Sequence, residues 1–290
     1  MAEVNRMVAG AQSFGRAGQR PAQTTTPPPV DALAPPHGWV FSAFLMSFDA
    51  IGRNFVTVVA LIAAAAAPER IVTHLVHFDW HYLALSYLIM FVMACGLWGA
   101  IIRLTLDAAR GVAVNFNDCI ISGLIHLPSA LVLVARPSLG IAVAMLLLVM
   151  PPLIHASHWP ILLSQEEAHT FVRIGWFATP GAILLALRWF VAPAAMVAEN
   201  LGIRDSIARS RALTARHVPG FFLAAVALIA LALMLGSIME PLWGMPAKAL
   251  PVFLIGNWLA PLIITALTAS VATSLYLNLA AAENEAVDPT

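Results

Sequence analysis

Three stretches of this chain, residues 83–102, 218–239 and 249–282, contain no charged side chain, and nothing else in the sequence restricts the fold as strongly. About 20 apolar residues in a helix cross a hydrocarbon layer roughly 30 Å thick. A soluble domain carries about a quarter charged residues, whereas here 10% are charged and 60% hydrophobic. The chain therefore reads as an all-α, polytopic helical membrane bundle, whose backbone must satisfy its own hydrogen bonds. A fourth span is expected over 174–198, carrying one arginine, Arg188. A first helix from Trp39 begins amphipathic, with Asp49 and Arg53 paired at i,i+4, and turns wholly apolar from Phe55 to Ala67, so its last turns enter the membrane. The run 249–282 is too long for one perpendicular crossing, so Pro251 and Pro261 are expected to break or tilt it.

Residues 117–163 decide the number of crossings. Two apolar pieces, 119–135 and 139–163, flank Arg136-Pro137-Ser138. If both cross, the arginines of 204–216 fall on the opposite side from Arg6, Arg16, Arg20, Arg103 and Arg110, against the tendency of basic loops to stay cytoplasmic. If one crosses, every arginine-rich segment is cytoplasmic. The expectation is six transmembrane helices with both termini inside, and 117–128 as a surface or re-entrant segment. The segments from Phe41, Phe116 and Arg204 each place a small amphipathic helix before an apolar span. That pattern predicts three repeats of surface helix plus two spans, with Ser47 matched to Ser210 and Arg53 to Arg216.

The domain plan follows. Residues 1–38, with TTTPPP and APP, lack an apolar run and read as a disordered cytoplasmic tail. No cleavable signal peptide is expected there, because no apolar core follows the charged start. Residues 39–282 form the six-span membrane domain, and 283–290 a short acidic cytoplasmic tail. Cys95 and Cys119 stand within or beside apolar runs and are expected to be packing residues.

The segment Glu199 to His217, ENLGIRDSIARSRALTARH, is the most basic. On a helical wheel Ile203, Ile207, Ser210 and Thr214 share one face, with Arg204 and Arg211 on one flank and Arg209 and Arg216 on the other. The wheel predicts a helix lying in the headgroup layer with its guanidinium groups in water. Attraction to an anionic leaflet is worth about 1 kcal/mol per arginine, so Arg204, Arg209, Arg211 and Arg216 are candidate contacts for anionic lipid. Glu199, just ahead of the new helix, is placed to favour its N-terminus.

The run ATPGAILLALRWFVAPAAMVAENLGIRDSIARSRALTARHVPGFF resembles the membrane domain attached to some bacterial glycerophosphoryl diester phosphodiesterases, and related stand-alone YciC-like membrane proteins. The matching residues are Pro180, Gly181, Arg188, Pro193, Glu199, Ser206, Arg209, Ser210, Leu213 and Thr214. Ile207-Ala208 stands where that family usually has Ala-Leu, and 139–171 fits it poorly. The resemblance implies a six-helix membrane module of the bacterial inner membrane. It does not carry over hydrolase activity, because the fused phosphodiesterase is a separate barrel of about 250 residues.

Arg188 falls near the middle of its span, where an arginine costs about 2.5–3.5 kcal/mol on insertion scales. Glu199 is about 16 Å along the helix, too far to pair directly. The carbonyl of Trp189 freed by Pro193, a carboxylate such as Asp107, or an anionic headgroup can compensate. Arg188 is thus either an interior structural contact or part of a lipid or anion site. His74, His77, Asp79 and His81, in THLVHFDWHY, are suitable ligands for zinc or copper, and the same outer side would hold His155, His158, Glu166, Glu167 and His169. Trp80 and Tyr82 beside them equally mark an interfacial belt where histidine is comfortable. Ala266, Ser270 and Ser274 form a small-residue row suited to close helix approach, within the chain or between copies.

The sequence shows no nucleophile elbow, phosphate-binding glycine loop or HExxH. Net charge is +0, and no affinity for nucleic acid is expected. The leading expectation is a non-enzymatic protein with a structural or interaction role, without cofactor, whose partners are membrane lipids, with a homo-oligomer or second membrane protein left open. The alternatives are a small transporter or lipid-handling protein using Arg188, and an outward-facing histidine-rich metal site.

Overall fold

The computed structural model describes residues 38–75, 80–156, 165–243 and 250–287. Among the described residues all regular structure is helical: α1 Trp39–Arg53, α2 Phe55–Leu75, α3 Trp80–Ala109, α4 Phe116–Ala156, α5 Gln165–Trp189, α6 Ala192–Glu199, α7 Ile203–Ala215, α8 Val218–Trp243 and α9 Leu250–Val287. Five stretches are long and apolar enough to cross a membrane, or six if α1 and the start of α2 count as one bent span. An all-α membrane bundle is the fold.

Four helix boundaries differ from the sequence expectation. The first helix is not continuous: α1 and α2 meet at Asn54 with a bend of 85°. The Asn54 side-chain amide donates to the Ala50 carbonyl at 2.9 Å, a local bond that competes with helix continuation. The stretch 117–128 is no separate element, since α4 runs unbroken for 41 residues through Pro128 and Pro137. A proline removes one hydrogen bond and bends a helix but does not by itself reverse the chain. Asn115 starts this helix, its Oδ1 accepting the Asn117 N–H at 3.0 Å. Neither Pro251 nor Pro261 breaks α9: Pro251 sits in the first turn, where its missing N–H costs little, and Pro261 is tolerated inside the helix. Finally, helix continues past 282 to Val287, as the good helix formers Ala and Glu favour.

The described residues up to Ala281 belong to one unit, and the last turns of α9 from Ala282 lie outside it. Within the first unit α9 is the shared strut. Its Leu262, Ala266 and Ala269 join a cluster with Val58, Leu61 and Ile62 of α2 and Ala100, Ile101 and Leu104 of α3. Its Val271, Leu275, Tyr276 and Leu279 join a second cluster with α1, α5, α6, α7 and α8. The apolar stretch of α9 is 61% buried against 17% for α8, so α9 is central and α8 faces outward.

Small polar residues fix the depth of α9. Thr105 and Ser270 share a hydrogen bond of 3.1 Å, and Ser47 and Ser274 one of 2.9 Å. The row Ala266, Ser270, Ser274 therefore packs inside the chain, where such bonds contribute about 0.6 kcal/mol each. Thr105 meets Ser270, while Cys95 and Trp98 border one cavity with Ile264 and Thr265, so α3 and α9 run parallel. That orientation fits an odd number of crossings between them, as when 117–163 crosses once.

The closest backbone-to-backbone approach at a described glycine joins α3 to α4. A Cβ placed on Gly123 would lie 2.6 Å from the Gly96 carbonyl oxygen, and one on Gly99 would lie 3.1 Å from the Gly123 Cα. Only hydrogen fits there. Of the three small helices expected ahead of an apolar span, two stand as separate elements, α1 and α7, and the middle one is part of α4. Ser47 and Ser210, matched by the repeat, are both buried on the inner faces of their helices.

Candidate functional site

The basic segment forms α7, but the helix does not rest an apolar face on lipid. Its buried face is Ser206, Ser210, Leu213 and Thr214, turned onto protein, while Ile203 and Ile207 flank it against Leu133, Ala192 and Met196. Each buried hydroxyl is satisfied: Ser206 donates to the Ile203 carbonyl at 2.9 Å, Thr214 to Ser210 at 2.8 Å, and Ser210 to the Arg188 carbonyl at 2.7 Å. A stripe of small hydroxyl residues lets α7 approach closely at little desolvation cost. The periodicity is that of the wheel, and the inner face packs on protein.

The Ser210 bond also explains the break between α5 and α6. Pro193 falls in the first turn of α6, and its ring and missing N–H prevent helix from running through. The freed Arg188 carbonyl is taken by Ser210, whereas the sequence pointed to the carbonyl of Trp189. The Arg188 side chain is exposed and does not lie between helices, because its buried neighbours Leu187 and Trp189 occupy the inner face. Asp107, proposed as its counter-ion, pairs instead with Arg103 at 2.9 Å. The expected Asp49–Arg53 pair forms at 2.8 Å.

Glu199 has a role other than favouring the next helix. It ends α6, where Asn200 adopts a left-handed φ of 53°, and its Oε1 accepts hydrogen bonds from Tyr276 Oη and from Arg209 Nε at 3.1 Å. One carboxylate thereby ties α6, α7 and α9 together. Tyr276 was missed by sequence reasoning, although a lone tyrosine late in an apolar span was the available signal. Arg211 lies over the Trp189 ring, 6.0 Å from its centroid, in the range of a cation–π contact.

Trp39 closes this end. Its ring meets His217 and Phe221 edge-on at 5.7 Å, its carbonyl accepts from Asn278 at 3.0 Å, and it covers Gly220, where a Cβ would come within 2.3 Å of the indole. Burial, then the charge of Arg216, hold the His217 pKa below its usual value. The folded state therefore prefers neutral imidazole. Its contribution to stability is fully present above the unfolded pKa of about 6.5 and is lost as pH falls toward the lower folded value. Thermal denaturation in detergent between pH 7.5 and 5 should show this loss, and His217→Asn should flatten it; an equal slope in the variant would assign the effect elsewhere.

Of the histidine group, His77 and Asp79 lie outside the described residues, as do the side chains of His74 and His81. Among the described residues no three metal-ligating side chains come together. Arg188, Arg204, Arg211 and Arg216 are exposed and form no ion pair among the described residues, whereas Arg209 is engaged by Glu199. The site can thus offer several guanidinium groups to an anion beside the node of Glu199, Arg209 and Tyr276. Comparison with protein-family models, curated proteins and solved structures finds no match.

Proposed function

We propose that this chain is a non-enzymatic protein of the bacterial inner membrane, with both termini cytoplasmic, whose basic end holds anionic headgroups and serves a structural or interaction role. One observation carries the reading. Arg188, Arg204, Arg211 and Arg216 have no carboxylate partner among the described residues, while Asp49, Asp107 and Glu199 are each already paired. Unpaired guanidinium groups beside a bilayer find their counter-charge in lipid phosphate. The YciC-like resemblance accords with this reading and adds no activity. Transport through Arg188 is less favoured, because the side chain faces outward.

The test is lipid retention. Reconstituted with mixed zwitterionic and anionic lipid and then extracted, the protein should keep anionic lipid. A variant with all four arginines changed to glutamine should lose at least tenfold of it, given about 1 kcal/mol for each. Unchanged retention would end the proposal. The orientation has its own check: a cysteine at position 208 should resist membrane-impermeant reagent in intact cells, and labelling there would reverse the assigned sides.

A further inference from the structure

Beyond Asp118, α4 carries a single Asp, Glu, Lys or Arg, and it is Arg136. Two contacts fix its height in the bundle. A Cβ on Gly140 would lie 3.9 Å from the Ala182 Cβ of α5, and Leu133 packs with Ala192 and Met196 of α6 and with Ile203 and Ile207 of α7. As α4 rises from 133 to 140 its neighbour falls from 192 to 182, so α4 is antiparallel to α5 and α6, which follow one another as one apolar stretch. The α7 helix is likewise antiparallel to α6, since Ile203 and Ile207 meet the Ala192–Met196 layer and Ser210 reaches back to Arg188.

The consequence is a shared level. From the layer of Leu133, Ala192 and Ile207, Arg136 stands one turn on, Arg188 one turn back and Arg211 one turn on, and the helix directions carry all three the same way by about 4.5–6 Å. Packed helices have axes about 8–10 Å apart, a gap that two extended arginine side chains can span. All three side chains are exposed and form no ion pair among the described residues, whose printed pairs use other arginines. Arg211 is held over the ring of Trp189, the chain neighbour of Arg188. With no anion between them, three cations at one level only repel. Further along in the same direction the surface turns apolar, with Leu139 and Val143 of α4 and Ile183 and Leu184 of α5 exposed. Such a face beside a cationic cluster fits a lipid better than a soluble anion.

We infer that Arg136, Arg188 and Arg211 hold the terminal phosphate of a lipid phosphomonoester, whose acyl chains lie along Leu139, Val143 and Leu184. A phosphate monoester offers three acceptor oxygens and about −1.5 to −2 charges at neutral pH, one oxygen for each guanidinium group. A phosphodiester headgroup has two free oxygens and one charge, and leaves the third arginine unmatched. Arg188 and Arg211 belong to the headgroup site proposed above, on which this assignment rests; Arg136 and the preference for a monoester are added to it.

The test titrates the full chain in non-ionic micelles with phosphatidic acid, phosphatidylglycerol and phosphatidylcholine of matched chains, read by native mass spectrometry. Phosphatidic acid should bind about tenfold more tightly than phosphatidylglycerol, the worth of one further charged hydrogen bond. Arg136→Gln, at an exposed position that should leave the bundle folded, should bring phosphatidic acid down to the phosphatidylglycerol level. Arg173→Gln, about 22 Å along α5 from Arg188 and also exposed, should keep the preference. Glycerol 3-phosphate at the lipid's concentration should displace little of it. Equal binding of the two anionic lipids by the unaltered chain overturns the monoester assignment and leaves the headgroup reading standing. A preference that survives in Arg136→Gln, or falls as far in Arg173→Gln, overturns it too, and full displacement by glycerol 3-phosphate would make the ligand a soluble one. If neither anionic lipid binds better than phosphatidylcholine, the headgroup reading itself falls.

Discussion

Gly123→Leu is expected to abolish the folded bundle, leaving protein that inserts but aggregates on extraction into mild detergent. Even a methyl group at this position would stand 2.6 Å from the Gly96 carbonyl oxygen and 3.3 Å from the Ala100 Cβ and backbone nitrogen. Two of these three neighbours are helix backbone and the third is a Cβ fixed directly to it, and none can swing aside as a side-chain tip can. The helices must separate, and separation strips contact from Cys119, Leu97 and Ala100, all in the same buried cluster. Overpacking a well-packed interior typically costs about 1–3 kcal/mol, and Gly123→Ala should fall in that range. Leucine adds four carbons to a gap that admits none, which places it beyond the usual distribution of single substitutions. Size-exclusion chromatography and unfolding in mixed micelles provide the measure. A monodisperse Gly123→Leu protein as stable as the original would mean that α3 and α4 do not meet at these glycines. Gly140→Ala is the control, since a Cβ there meets only the Ala182 Cβ, at 3.9 Å, and should be tolerated.

Removing the Glu199 carboxylate is expected to have the next largest effect. Hydrogen bonds to a charged group contribute about 1.5–3 kcal/mol when buried. The Arg209 half of the node is about a third exposed, with side-chain accessibilities of 27% and 33%, so its share belongs nearer the 0.2–1 kcal/mol of surface pairs. The Tyr276 half is shielded, its residue only 4% exposed, and carries most of the loss. Glu199→Ala should therefore destabilise by about 2 kcal/mol. Glu199→Gln, which retains an acceptor for Tyr276 and gives up the ion pair, should cost about half as much. Tyr276→Phe in the Glu199→Ala background should add little, because the two share one interaction. If the double variant loses as much as the sum of its parts, the carboxylate and the phenol act separately.

What the sequence made readable follows the range over which each feature is determined. The helical class and the apolar runs are local, and so is the Asp49–Arg53 pair. The small row of α9 was legible as a packing surface, though not its partners Ser47 and Thr105, which lie 227 and 165 positions from their serines. The Gly96–Gly99–Gly123 contact was invisible, because glycines in an apolar run look alike until a second helix crosses them. The break at Asn54 turns on one side-chain bond that hydropathy does not register. The placement of Arg188 failed for a related reason: the span was read as running through to 198, whereas Arg188 stands in the last turn of α5, and the side of the helix it occupies depends on where α7 docks. In α7 itself the arginine flanks were legible from periodicity alone. So were Ser210 and Thr214 on the inner face; the Arg188 carbonyl that Ser210 finds there was not, because it lies 22 positions away in the chain.

The dependence of both clusters on α9 sets a timetable for biogenesis. Thr105 precedes its partner Ser270 by 165 positions, which at synthesis rates of roughly 5–20 residues per second is an interval of about 10–30 s. During that interval α2 and α3 sit in the bilayer with a flank that only the helix still on the ribosome can cover. A nascent chain halted before α9 emerges thus presents unclosed polar notches to the insertion machinery, making late translational arrest the point of greatest vulnerability to membrane proteolysis.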